Sequence, residues 1–518
     1  MAREYSANLP QKRYTGAQIR INEALVAKNL SIEMYQLMED AGRAMFDMVA
    51  DHFASTRYRH TVMTVLCGYG NNGGDGYVVA RLAKTAGWRV RLVQVGDGQK
   101  ISGDALKAKN KWLRTGGAIE TVGANGLNLD QDSLIIDALL GTGLGGDVRS
   151  PFTDVIRQVN TLRQQGRHVV CSVDIPSGLN ADTGQPMGCA IAADMTCTFV
   201  AVKQGLLTGS AGDYCGQLVF CGLGIEEAFT KTVAESAYSL DQADINAFFP
   251  RRRLSSHKGS FGHVLFIGGN KGMSGAIRMA AMACLRTGAG LVSVLTHGDN
   301  ESLVAAGCPE IMVTGVALGV DISRWLQQVD VIVFGPGAGQ DQWSKSLLDQ
   351  VCQVDKAKVI DADGLNLLAR SAKIGRPIES VQVVNAVHNC IVTPHPKEAS
   401  RLLKTTVAGV QADRFAAVKL LAKGPSVVAL LKGYGTLVSD GQQVYVNPTG
   451  NPGMATAGMG DVLSGILGGL LAQGHSLMDA ATVGAWIHGA AADMAAKDGE
   501  RGLMATDLYP HIRALVNI

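Results

Sequence analysis

The chain has 518 residues, 47% of them hydrophobic and 18% charged, with a formal net charge of +2. A prior of about 150 residues per domain gives two to four compact units, and the composition excludes a disordered chain. The near-balanced charge excludes a nucleic acid or other polyanion as the expected partner. With 63 glycines and only 5% aromatic residues, the chain suits α/β domains with many tight strand-to-helix turns. The ten cysteines include no C-x-x-C pair. Cys67, Cys171, Cys197 and Cys390 fall in apolar, strand-like runs, where cysteine acts as a small hydrophobe. They read as reduced cytoplasmic thiols, not as a disulfide framework or a zinc site. Residues 1–20 have no apolar core of the kind a secretory signal carries. The most apolar windows contain Arg278, Arg286 and Asp461, so no membrane span is expected.

In chain order, Tyr35, Met38, Ala41, Met45, Val49 and Phe53 fall on one face of a predicted helix. A buried strand over Val62–Cys67 follows, then a Gly/Asn loop and a helix over 77–86. Strands are predicted at 90–95, 134–138, 169–173 and 195–202, with helices at Gly103–Arg114 and Phe152–Gln164. The pattern then starts again, with strands at 264–267, 291–295, Val331–Phe334, 359–361, 390–393 and Val427–Leu431. Strands alternating with helices at this spacing build parallel, doubly wound sheets covered on both faces. The expected domains are 1–228 and 238–518. Around that boundary, in the segment of about 222–256, the polar stretch 231–235 and the basic Arg251-Arg252-Arg253 read as solvated linker.

Two regions carry chemistry. After the first strand comes Gly68-Tyr69-Gly70-Asn71-Asn72-Gly73-Gly74-Asp75-Gly76. Gly68, Gly70 and Gly73 fit a dinucleotide fingerprint, and Asp97 stands where a ribose-binding acid would follow, so an NAD-dependent dehydrogenase is one reading. Asp75 near the pyrophosphate position argues against it, and the asparagine oxygens suit a hard cation. The loops Asp137-Ala138-Leu139-Leu140-Gly141-Thr142-Gly143-Leu144-Gly145-Gly146-Asp147 and Asp174-Ile175-Pro176-Ser177-Gly178 also follow strand ends. In an open sheet they converge on the same crevice, bringing Asn72, Asp137 and Ser177 as oxygen ligands and Asp174 as a candidate base.

These motifs, with Lys203 in Val202-Lys203-Gln204-Gly205, resemble the NAD(P)H-hydrate epimerase domain over about residues 10–225. The resemblance implies a Rossmann-like fold and a potassium ion on Asn72, Asp137 and Ser177. It also implies hydrate contacts at Asn71, Asn72, Gly73, Gly74, Asp75, Gly141, Thr142, Gly143, Leu144, Gly145, Gly146, Asp147 and Asp174. Gln204 stands where that family often has proline, which leaves the local turn open.

In the second half, Asn451-Pro452-Gly453-Met454-Ala455-Thr456-Ala457-Gly458-Met459-Gly460-Asp461 runs into a helical pattern (Val462, Leu463, Ile466, Leu467, Leu470). Free amides and the positive end of a helix dipole suit an anion, and Gly458 and Gly460 let it approach. Asp461 is then placed to take a proton from an attacking hydroxyl, which points to phosphoryl transfer. Lys432-Gly433-Tyr434-Gly435-Thr436 is a tight cationic turn suited to a nucleotide. Gly335-Pro336-Gly337 permits close approach by a ligand, and Pro394-His395-Pro396 fixes a histidine at a strand end. No G-x-x-x-x-G-K-[ST] element is present, which excludes a P-loop NTPase.

This set, with His257-Lys258-Gly259, Gly272-Met273-Ser274-Gly275-Ala276, Asp361-Ala362-Asp363-Gly364-Leu365 and Thr393-Pro394-His395-Pro396-Lys397-Glu398, resembles the ribokinase-like superfamily. Within it the resemblance is to ADP-dependent NAD(P)H-hydrate dehydratases, over about residues 240–515. It implies hydrate contacts at Ala276, Gly337, His395 and Asp461, and nucleotide contacts at Lys432, Gly433, Tyr434, Gly435, Thr436 and Gly460.

Both halves together resemble the bifunctional NAD(P)H-hydrate repair family. The expectation is a lyase and isomerase with catalytic Asp174 and Asp461, K+ in the first half, and ADP with Mg2+ in the second. Its partners are small molecules only, and a homo-oligomer is expected; the apolar, glycine-rich stretches 465–471 and 480–496 could face a neighbour or be core. The competing readings are a vitamin or sugar kinase fused to a nucleotide-binding regulatory domain, and a non-catalytic binding module.

Overall fold

A computed structural model describes residues 9–53, 55–122, 126–127, 133–166, 168–371, 388–424 and 426–517. The chain divides into two compact units, Met1–Tyr238 and Ser239–Ile518. Among the described residues no helix is long and apolar enough to cross a membrane, and all ten cysteines are free.

In the first unit the central strand Val62–Cys67 is flanked on one side by Arg89–Gln94 and Glu120–Thr121. On the other side lie Ser133–Ala138, His168–Val173, Met195–Phe199 and Gln217–Cys221. All the neighbours are parallel, so the strands' carboxyl ends share one edge. Helices such as Met34–Phe53, Asn71–Thr85 and Phe152–Gln164 are interleaved with these strands in the chain, which gives the doubly wound, Rossmann-like order. Met34–Phe53 buries Met38, Ala41, Met45, Val49 and Phe53, the stripe its periodicity predicts.

Three details differ from the sequence reading. The Gly/Asn loop is itself the first turn of a helix that starts at Asn71, with Gly70 as its N-cap. The predicted strand 195–202 breaks after Phe199 because Val200 takes φ 64, a strained value for a β-branched residue. The stretch read as linker folds with the first unit: the helix Glu226–Thr232 buries Phe229, and Ala237–Tyr238 pairs antiparallel with Lys12–Tyr14.

The second unit has a nine-strand run ordered Met312–Val316, Leu291–His297, His263–Ile267, Val331–Phe334, Ala357–Ile360, Cys390–Val392, Val427–Leu431, Leu437–Ser439, Val444–Val446. The first seven are parallel and the last two add an antiparallel hairpin. The helices Met459–Ala472 and Leu477–Ala495 are core elements. A Cβ on Gly465 would lie 2.1 Å from the Ala280 carbonyl oxygen, so the glycines there serve close helix packing. The apolar stretches behind the expectation of an oligomer are therefore internal. Arg252 is likewise docked, donating to the Gly288 carbonyl at 2.7 Å and lying 3.6 Å over the Phe261 ring.

Candidate active sites

In the first unit, loops at the strands' carboxyl ends and the helix Gly16–Asn29 enclose a cleft of about 550 Å3. Asn71, Asn72, Asp75, Gly141, Thr142, Gly143, Leu144, Gly145 and Asp174 line it, together with Lys203. Gly146 and Asp147 do not. Gly73 and Gly74 are buried behind the wall: a Cβ on Gly73 would meet the Gly68 carbonyl oxygen at 2.1 Å, and one on Gly74 the Met38 side chain at 2.7 Å. They permit close packing of the first helical turn, and their helix has no side-chain cap on its first amides.

Asn72, Asp137 and Ser177 do converge. The fully buried Asp137 carboxylate accepts from Ser177 Oγ at 2.5 Å, the Ser177 amide at 2.9 Å and Ser172 Oγ at 2.8 Å. Burial pushes its pKa up, against those hydrogen bonds. Ser177 Oγ accepts from the Leu140 amide at 2.9 Å, and Asn72 Nδ2 donates to the Leu140 carbonyl at 3.2 Å. Asn72 Oδ1 is buried and has no hydrogen-bond partner. A buried, unpartnered amide oxygen in a cluster with a carboxylate and a hydroxyl is a donor set that fits a hard cation.

Asp174 has φ 67, and Ile175 N donates to the Val173 carbonyl across it at 2.8 Å. This tight turn aims the carboxylate back at the next strand's end. There it accepts from Lys203 Nζ and from the Phe199 amide at 3.1 Å. Lys203 is itself buried and donates to Thr198 Oγ1 and the Phe199 carbonyl, each at 3.0 Å. Burial, with Asp174 and Glu23 nearby, pushes Asp75 well above the usual carboxylate range. Two readings from sequence are corrected here. Asp97 caps a short 3-10 turn through the Gln99 amide at 2.9 Å and does not line the cleft. Gln204 is buried and donates to the Asp182 carbonyl at 3.0 Å, which forms the turn without proline.

In the second unit the helix Met459–Ala472 starts at Gly458, whose φ of 90 suits glycine. No side chain caps its first amides. Asp461 sits in that first turn, its pKa raised to about 7 by burial and then by Asp361, with Lys432 pulling the other way. Lys432 Nζ pairs with Asp361 Oδ1 at 2.9 Å, and Ser464 Oγ donates to Asp361 Oδ2 at 2.8 Å. Burial alone would raise Asp361, but the Lys432 ammonium and these donors hold it below its ordinary value. A Cβ on Gly460 would lie 3.3 Å from Lys432 Nζ, so the glycine keeps the ammonium and the helix amides adjacent.

The turn Lys432–Thr436 is set by Gly433 and Gly435, both with positive φ. Its Lys432 side chain pairs with Asp361, while the exposed Tyr434 tops the turn. Beneath it the buried Arg414 donates to the Leu431 carbonyl at 3.1 Å. Ala276 and Gly337 are neighbours: a Cβ on Gly337 would lie 3.1 Å from Ala276 Cβ. His395 is exposed and caps the next helix, its Nδ1 accepting from the Lys397 amide at 3.1 Å. Partial desolvation of the half-exposed ring, and then Lys432, depress its pKa.

Sequence reasoning gave no role to Glu398, which it quoted only within a motif, and missed Glu23 and His488. Burial pushes Glu398 to about 7. The buried His488 is pushed down to about 4 by burial and by Lys432, and its Nε2 has no partner. The Lys432–Asp361 pair was visible only as two separate motifs, 71 residues apart.

Residues 34–205 match the family described as YjeF-related protein N-terminus, and residues 264–513 the family described as NAD(P)H-hydrate dehydratase. The bifunctional NAD(P)H-hydrate repair enzyme Nnr of Coxiella burnetii is 44% identical over 506 residues, 97% of this chain and 99% of its own. Its namesake in Escherichia coli is 41% identical over 513 residues, 98% of this chain and 95% of its own. A solved ADP/ATP-dependent NAD(P)H-hydrate dehydratase from Bacillus subtilis, co-crystallised with ATP and Mg2+, is 26% identical, with 54% of this chain and 98% of its own covered and a TM-score of 0.46. By its full-length relatives, this chain belongs to the family of bifunctional NAD(P)H-hydrate repair enzymes.

Proposed function

We propose that the chain restores NADH and NADPH whose nicotinamide ring has taken up water at C6. The first unit interconverts the R and S hydrates, and the second dehydrates the S hydrate at the expense of ADP. One observation supports the second step most strongly: Asp461 stands in the first turn of a glycine-capped helix, beside amides that no side chain occupies. Asp461 takes the proton of the C6 hydroxyl as that oxygen attacks the β-phosphorus of ADP, and AMP leaves. The Gly458–Gly460 amides bear the charge on the transferred phosphoryl group. Hydroxide is a poor leaving group and phosphate a good one, so elimination then yields the dihydronicotinamide and inorganic phosphate. Lys432, Gly433, Tyr434, Gly435, Thr436 and Gly460 hold the nucleotide, and Ala276, Gly337 and His395 the hydrate. Mg2+ would accompany the ADP phosphates and offset their charge.

In the first unit Asp174 handles the proton of the hydrate hydroxyl. Asn72, Asp137 and Ser177 would hold K+, which supplies fixed positive charge to the loops around the substrate. The orphaned Asn72 Oδ1 supports this set. A first domain that runs to residue 238, a second from 239 onward and a cytoplasmic setting complete the reading.

Incubating the purified chain with mixed hydrates and ADP or ATP tests it. Recovery of a cofactor absorbing at 340 nm, with AMP and inorganic phosphate, is the expected result. A stable phosphorylated product would identify a small-molecule kinase instead.

A further inference from the structure

The epimerase cleft holds an acid that the reading above leaves idle. Glu23 lies on the helix Gly16–Asn29, outside the 34–205 span of the family match. It lines the cleft with Asp75, Asp174 and Lys203. Its helix is pinned over the site: the Gly16 amide donates to Asp182 Oδ1 at 2.6 Å, and Arg20 Nη1 to the Thr142 carbonyl at 2.8 Å. No hydrogen bond from a described donor holds the Glu23 carboxyl. Asp174, in contrast, is fixed by Lys203 and by the Phe199 amide.

Epimerisation through an opened ring needs two proton-handling groups. One takes the C6 hydroxyl proton as the C6–N1 bond breaks and C6 becomes an aldehyde. The other gives a proton to N1, which keeps the electron pair of the broken bond. Closure on the opposite face reverses both transfers, so atoms and charge balance. We propose that Glu23 is the acid partner of Asp174, delivering the proton to N1 while Asp174 removes the one on the hydroxyl. This rests on the epimerase reading of the cleft.

The electrostatics agree with that division. Glu23 faces Asp174 and Lys203 from the strand ends, Asp75 from the helix Asn71–Thr85, and Arg20 on its own helix, and Asp104 lines the same cleft. Carboxyls outnumber cations there, and like charges at close range do not all ionise. Burial and then Asp174 push Glu23 up to about 7, with Lys203 and Arg20 opposing. It therefore carries a proton part of the time at neutral pH, as a general acid must.

The test follows R-to-S conversion in the full-length protein without ADP, for wild type, Glu23→Gln, Glu23→Asp and Asp174→Asn. ADP-dependent dehydration of the S hydrate serves as an internal control. Glu23→Gln is expected to lower the epimerisation kcat about 10²-fold or more, with KM and dehydration close to wild type, and Glu23→Asp to recover part of the loss. The wild-type rate should fall above about pH 7, and the residual rate of Glu23→Gln should lack that fall. Epimerisation within about threefold of wild type in Glu23→Gln, a loss confined to KM, or a wild-type profile without the alkaline limb would each overturn the proposal. A slow Asp174→Asn beside a normal Glu23→Gln removes Glu23 and keeps the cleft's assignment. Two normal variants remove both.

Discussion

Replacing Asp461 by asparagine should cost activity and add stability, and the two effects share one cause. Burial and Asp361 raise the carboxyl from the usual 3.8 to about 7. At about 1.36 kcal/mol per tenfold step, roughly three steps put on the order of 4 kcal/mol of strain on the ionised form as a ceiling. Both folded and unfolded chains hold the proton below about pH 4. Between about 4 and 7 the folded state holds it and the unfolded chain releases it, so stability falls as pH rises and the penalty is complete above 7. Asparagine keeps the shape and never ionises. Denaturant unfolding of Asp461→Asn at pH 5 and pH 8 should show a second unit more stable than wild type at pH 8, by up to that ceiling, with less than half of that difference at pH 5. Dehydration, followed at 340 nm, should fall about 10²–10⁴-fold, and the wild-type rate should decline below about pH 7 as the base is protonated. A variant no more stable than wild type at pH 8, yet folded and inactive, would refute the claim that Asp461 is held strained for use as a base.

Three further outcomes are expected. Lys432→Met leaves the Asp361 carboxylate, whose side chain is 2% exposed, without its cation. The second unit should lose about 3–5 kcal/mol in urea unfolding, and adding Asp361→Asn should restore much of it. Gly460→Ala places a Cβ 3.3 Å from Lys432 Nζ, so calorimetry should show ADP binding weakened about tenfold or more, near 1.4 kcal/mol, with an unchanged melting temperature. Exchanging K+ for choline should slow epimerisation and lower the first unit's melting temperature, and Asp137→Asn should abolish both responses.

The spacing of apolar runs and glycines makes most of this fold legible in the sequence. Val62–Cys67 is a continuous apolar run because both faces of a parallel strand are covered, and the helix after Gly458 announces itself by Val462, Leu463, Ile466 and Leu467. Very short strands are not legible. Val444–Val446 has only three residues, and Ala237–Tyr238 exists only through its tertiary partner. The helix Gly16–Asn29 leaves Ile21 and Leu25 exposed, so no apolar stripe marks it and Glu23 goes unseen. Nor does local sequence reveal that Lys432 spends its charge on Asp361, because that pairing is made by strand order. The break at Val200 is equally silent, since a valine predicts extended backbone.

The central claim is that two separate sites act on the same damaged cofactor. Its most direct test follows a 1:1 mixture of R and S hydrates with ADP and Asp174→Asn protein by chiral chromatography. The account predicts that the S hydrate disappears at the wild-type rate while the R hydrate remains, leaving about half of the material unrepaired until wild-type protein is added. Consumption of both hydrates at wild-type rates, or loss of dehydration together with epimerisation, would contradict it.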